Sequence, residues 1–178
     1  TQVIEEYFSE DGRFHGAIYQ PFIYEKRQAR EQDEKLNEND NRRLQQQQNL
    51  YEFMRRLLVK RFESSFCSFA KSIANFERIH ERVLEFIKNS DGKYILDRKL
   101  VEQIYNSDPD NIEAALEEFE RQLSELKKRP KNQHIYVIKD FDFAEDFMRD
   151  IHSDLELMRE IRGKIEKLDL VANDPKAK

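Results

Sequence analysis

Four glycines and four prolines are all that 178 residues contain, too few for a fold that turns often. Glycine this scarce and scattered excludes a phosphate-cradling loop of the GxxxxGK[ST] or GxGxxG type, because several close glycines are needed to bring backbone amides to the anion. The single cysteine, Cys67, cannot form an internal disulfide. That fits a reducing compartment, so a cytoplasmic location is expected. No apolar run approaches the ~20 residues that span a bilayer, and no signal peptide is visible; no membrane partner is expected. The four histidines, His15, His80, His134 and His152, lie far apart without ligand spacing, so no metal site is expected. Cys67 has no base in sequence reach and reads as a small buried hydrophobe rather than a nucleophile. The carboxylates around 113–120 and 140–150 are spread over outward helix faces, so paired acid–base chemistry is not expected. No enzyme emerges from these residues, and no cofactor is expected within them.

What the chain has in quantity is charge and large apolar groups. Charged residues make up 38%, well above the roughly 25% of an average domain. Thirteen Phe and seven Tyr supply buriable bulk and argue against disorder. High charge with few breakers favours long, solvent-washed helices. The expected fold is all-α: an elongated antiparallel helical bundle, coiled-coil-like, with two long helices at about 49–88 and 141–170 and shorter ones besides. The chain starts at Thr1 rather than Met and ends in a polar run, so both ends read as cuts in a longer chain.

Residues 1–25 are aromatic-rich and irregular, and are expected to pack onto something, a neighbour among the candidates. Residues 26–48 have almost nothing to bury and read as a solvated, mobile connector with some helix in it. The division expected is therefore 1–48, an irregular N-terminal segment and polar connector, and 49–178, a helical domain. From Asn49 the apolar residues Leu50, Phe53, Met54, Leu57, Leu58, Phe62, Phe69, Ile73, Phe76, Val83, Leu84 and Ile87, with Ser65 and His80, fall at steps of three or four. That stripe predicts one helix of roughly 55–60 Å, stopped at Asn89-Ser90-Asp91-Gly92. Tyr94–Tyr105 reads as a short helix. A capping box at Asp110 and Glu113 opens another helix over about 112–128. His134–Ile138 is the one short run of β character, and the reading leans against a strand there. The last helix, about Phe141 to Leu170, has apolar spacing near 3.5 and is expected to pair antiparallel with the 49–88 helix.

The net charge of −5 gives no global attraction to nucleic acid, but the charge is unevenly placed. Arg42, Arg43, Arg55, Arg56, Lys60 and Arg61 stand against Glu52 alone between residues 42 and 61. The stretches 102–127 and 140–160 are both acidic. One reading has the acidic helices neutralise the basic one across a bundle; the other has a phosphate-facing patch. On a helix Arg56 and Lys60 share a face while Arg55 sits about 100° away.

The block Leu50–Ser65, LYEFMRRLLVKRFESS, followed by Phe69 and Ile73, resembles the "RLLLKRLESS" block of bacterial Snf2-like (superfamily 2) helicases, which lies between their two RecA-like lobes. The tail from Leu170 to Lys176 is similar to the "DPK" lead-in to the second lobe. The resemblance covers about Asn49–Ile79 and the last ten residues, and is weak between. It implies a non-catalytic helical insertion that orients the motor lobes of the same chain. ATP and Mg²⁺ would be held by loops outside this stretch, and Arg55, Arg56, Lys60 and Arg61 would be candidate nucleic-acid contacts with DNA as partner. The alternative reading is a coiled-coil-like protein–protein scaffold.

Overall fold

A computed structural model describes residues 2–31, 36–96 and 134–168, with Ala114, Glu117, Glu118 and Arg121 as isolated helical positions between them. The described chain is an all-α bundle with one small sheet. Its helices are α1 (Gln2–Phe8), α2 (Phe22–Glu25), α3 (Arg27–Arg30), α4 (Glu38–Ser64), α5 (Phe66–Asn89) and α6 (Ala144–Leu168), with 3₁₀ turns at Ala17–Tyr19 and Ile138–Asp140. Apart from those four helical positions, which fall within the expected 112–128 helix, expectations on residues 97–133, including the capping box, and on the tail after Leu168 lie outside the described residues.

The stripe expected to form one helix over 49–88 forms two. Ser65 is extended, with φ −165° and ψ 127°. Its N–H still closes α4 on the Arg61 carbonyl at 3.0 Å, while its hydroxyl accepts from Ser68 N–H and caps α5. A serine side chain offers the backbone this alternative to a continuing ladder. Phe62, Phe66 and Phe69 fill the corner, their rings meeting edge to face at 5.2 and 5.3 Å. The two helices then lie side by side: Phe14 stacks on Tyr51 of α4 and meets Phe76 of α5 edge-on. The solvated connector is also corrected. α4 begins at Glu38, capped by Asn37, whose side chain accepts from Asp40 N–H at 2.8 Å, and both Leu44 and Gln47 are buried. Two anchors a turn apart suffice when another segment is there to cover them.

The antiparallel pairing with the last helix is made by α5. Arg162 of α6 forks onto Glu77 at 2.6 and 3.1 Å, and Arg159 reaches Glu81 at 3.1 Å. At the other end Phe147 of α6 packs against Tyr94, just beyond α5. α5 ends where its stop signal lies. Asp91 (φ 60°) and Gly92 (φ 83°) turn left-handed, and Gly92 N–H bonds the Ile87 carbonyl, a helix-terminating geometry.

The start of the expected 94–105 helix is instead a strand. β1 (Lys93–Leu96) pairs antiparallel with β2 (His134–Val137), Tyr94 opposite Tyr136. A four-residue run with three apolar positions cannot be assigned by period alone; here two aromatic and aliphatic runs, KYIL and HIYV, pair across the chain. Both tyrosines are buried. Tyr94 donates to the Ile18 carbonyl and Gln47 donates to the Tyr136 hydroxyl.

The N-terminal aromatics pack onto this chain's own helices. Ile4, Tyr7, Phe8, Phe14, Ile18, Tyr19 and Tyr24 enter the same core cluster as Leu50, Phe76 and Phe147. The boundary expected at residue 48 falls inside α4, and residues on both sides of it share that core.

Candidate functional site

The four basic residues singled out by the sequence go to different places. Arg55 turns inward. Its guanidinium donates to the Phe8 carbonyl at 2.8 Å and to Glu52 at 2.7 Å, and its side chain is 12% exposed. It clasps α1 to α4. Arg56 turns outward, 71% exposed, with its Nε 3.9 Å from Glu52, a distance at which an exposed pair contributes little. Lys60, one turn on, is exposed and forms no ion pair with the described residues. Arg61 is half-buried at the corner, and its carbonyl ends α4. Arg56 and Lys60 thus remain as an outward pair on one face of α4.

Within the described residues, α6 does not neutralise that pair. Among the described ion pairs, Asp146 of α6 takes Arg30 and Arg149, and Glu160 takes Arg13 and Lys164. Arg159 and Arg162 carry the opposite polarity across to Glu77 and Glu81. The α5–α6 seam is cross-linked by charge, and the outer face of α4 is left out of it.

A second site, missed in the sequence, is built around Asp154. This carboxyl is wholly buried on α6. Its two oxygens accept from the backbone N–H groups of His15 and Gly16, each at 2.8 Å, and Ala17 N–H adds a third backbone bond. Gly16 is left-handed (φ 62°), and a Cβ there would collide with the Tyr51 ring, so the turn demands glycine. Burial pushes the Asp154 carboxyl up to about 8, against the lowering effect of the three backbone donors. Asp150, one turn earlier, accepts from the Tyr24 hydroxyl at 2.7 Å and lies 3.8 Å from His15 Nε2. Desolvation and this carboxylate both push the Tyr24 phenol upward. The two aspartates tie residues 14–24 to α6. The carboxyl oxygens of Asp154 are engaged in bonds within the fold and anchor residues 15–17 to α6. The available signal was the i, i+4 pair Asp150 and Asp154 beside the apolar positions Ile151, Leu155 and Met158.

His80 is wholly buried, with Nδ1 donating to the Phe76 carbonyl at 2.7 Å. Its Nε2, the Tyr19 hydroxyl and the Ser72 hydroxyl are buried without hydrogen-bond partners among the described residues. Burial drives the imidazole down to about 4, so it sits neutral in the core. Cys67 is half-buried at the start of α5. Among the described residues no cluster of His, Cys, Asp or Glu could hold a metal ion, and no helix is long and apolar enough to cross a membrane.

No protein-family model, curated protein or solved structure matches this chain.

Proposed function

We propose that this chain is a non-catalytic helical insertion of a Snf2-like, ATP-dependent motor acting in the cytoplasm. In this reading the bundle orients the two RecA-like lobes of the same polypeptide and adds a DNA contact through Arg56 and Lys60. ATP and Mg²⁺ belong to the lobes, and the bundle itself does no chemistry. The observation that carries the reading is the outward pair on α4. The block that resembles the helicase sequence divides its basic residues among a structural clasp (Arg55), a half-buried corner residue (Arg61) and two exposed cations, Arg56 and Lys60, outside the α5–α6 ion-pair seam. Exposed cations on an acidic chain, Lys60 with no ion pair to the described residues and Arg56 with only a 3.9 Å approach to Glu52, are suited to phosphates.

A self-associating scaffold is less well supported. The apolar stripes of α4, α5 and α6 are covered by one another and by residues 4–24, which leaves no long apolar face among the described residues in need of a partner.

The test is DNA binding as a function of salt. The double variant Arg56→Glu/Lys60→Glu should weaken binding and flatten the dependence of log affinity on log salt by about two phosphate contacts. Unchanged affinity and slope would remove the DNA contact from the proposal.

A further inference from the structure

Ser65 alone separates α4 from α5, and it is the one covalent link between two halves of a shared core. Residues 2–64, with α1 to α4, lie before it; α5, the sheet and α6 lie after it. The contacts that join the halves do not follow the chain. Asp154 accepts from the His15 and Gly16 amides, and Gln47 donates to the Tyr136 hydroxyl. Phe14 meets Phe76, and Arg13 pairs with Glu160 at 2.7 Å. The sequence across the link is that of a helix. No Gly or Pro falls between Glu38 and Asn89, and Phe62, Ser65 and Phe69 lie on the single stripe from Leu50 to Ile87. Little holds the bend itself: the Ser65 hydroxyl on Ser68 N–H at 3.4 Å, and the edge contacts of Phe62 with Phe66 and Phe69. A continuous ladder would instead pair the N–H groups of residues 66–68 with the carbonyls of residues 62–64. Straightening is therefore opposed mainly by the separation of the two halves of the core, and a second copy of the chain reverses that separation.

We infer that this chain pairs with a second copy of itself by exchanging halves. In the dimer Ser65 is helical, and α4 and α5 join into one helix of roughly 78 Å. Residues 2–64 of each chain pack on the α5–α6 half of the other, and the two joined helices cross near Ser65 about a two-fold axis. Every contact between the halves is remade, so the exchange needs no exposed apolar face on the monomer. A foreign protein would have to reproduce the amides that hold Asp154 and the rings that meet Phe76; a second copy carries both by identity. A short, bent connection between two halves of one core is the setting in which such exchange arises. The inference goes beyond the motor reading and does not rest on it.

The experiment is size-exclusion chromatography with light scattering on the 178-residue chain, unfolded and then refolded at low and at high concentration so that exchange does not wait on opening of the native core. The parent should be monomeric after dilute refolding and partly dimeric after concentrated refolding. Ser65→Ala takes the cap from the monomer and nothing from the joined helix. It should lower the dimer dissociation constant roughly 30-fold, from one lost cap in each chain. Ser65→Asn keeps a cap and disfavours the joined helix, so it should raise that constant. Exchange itself is read by cross-linking. A chain with Arg13→Cys and a chain with Glu160→Cys, both also Cys67→Ala, are refolded together at high concentration and treated with a short bismaleimide. Positions 13 and 160 of different chains lie side by side only after exchange, so a band of doubled mass should appear, and should be absent when either chain is refolded alone. A dimer without that band is unexchanged and overturns the inference. A parent that is monomeric at every concentration overturns it too, as does a dimer fraction that Ser65→Ala fails to raise or that Ser65→Asn raises. If Ser65→Ala does not fold, the parent, Ser65→Asn and the cross-link still decide. None of these outcomes changes the DNA-binding test of Arg56 and Lys60, so the two readings fail separately.

Discussion

Arg55 and Arg56 are neighbours in the chain and opposites in environment. The 100° step of a helix says that two adjacent residues cannot share a face. It does not say which one turns inward, because that depends on the Phe8 carbonyl, 47 residues away. Arg55→Ala removes two charge-assisted bonds and leaves the Phe8 carbonyl without its partner, so it should cost about 2 kcal/mol. Arg56→Ala should be near neutral. Urea unfolding of the two variants checks the contrast. The partners of Asp154 were illegible for the same reason: they are backbone amides at the far end of the chain. Asp154→Ala strands the N–H groups of His15, Gly16 and Ala17 and should cost roughly 3 kcal/mol in the same assay.

The buried titratable groups set the pH response, and they act in opposite directions. The His80 imidazole is held neutral, at about 4 against a reference of 6.5. Its contribution is complete above 6.5 and is lost as pH falls through that value, by about 2 kcal/mol from about pH 7 to about pH 5. The Asp154 carboxyl, raised to about 8 from 3.8, favours the folded state most at low pH and loses that contribution as pH rises through 8. In the parent chain the two partly cancel over mildly acid pH. His80→Gln should therefore gain stability relative to the parent on acidification, and a constant difference between the two at both pH values would contradict the assignment.

At the scale of elements, the helices were legible and their interruption was not. The apolar stripe from Leu50 to Ile87 stays in phase through Ser65, so periodicity reads one helix where the backbone makes two. The break is written in a serine hydroxyl and three phenylalanines, a local signal that a long-period pattern averages away. Ser65→Ala removes the α5 cap and should cost about 1 kcal/mol. The 3₁₀ turn at Ala17–Tyr19 depends on Gly16, which has both a left-handed backbone and the Tyr51 ring against it. Gly16→Ala should destabilise by at least ~1–2 kcal/mol from the backbone alone, read as a lowered melting temperature. The cross-strand partners Tyr94 and Tyr136 are 42 positions apart, and such pairing has no local signature.

For the whole molecule, composition was the reliable guide. Scarce glycine and proline with abundant charge predict a helical bundle, and the described chain is one. The aromatic density of residues 1–25 calls for cover, and among the described residues that cover is α4, α5 and α6 of the same chain. The central claim, that this bundle sits between the lobes of a DNA-dependent motor, is tested most directly by determining the coding sequence on both sides of it. The account predicts a GxxxxGK[ST] loop and a DE-type box upstream and a second RecA-like lobe downstream. Flanking sequence encoding neither lobe would contradict it.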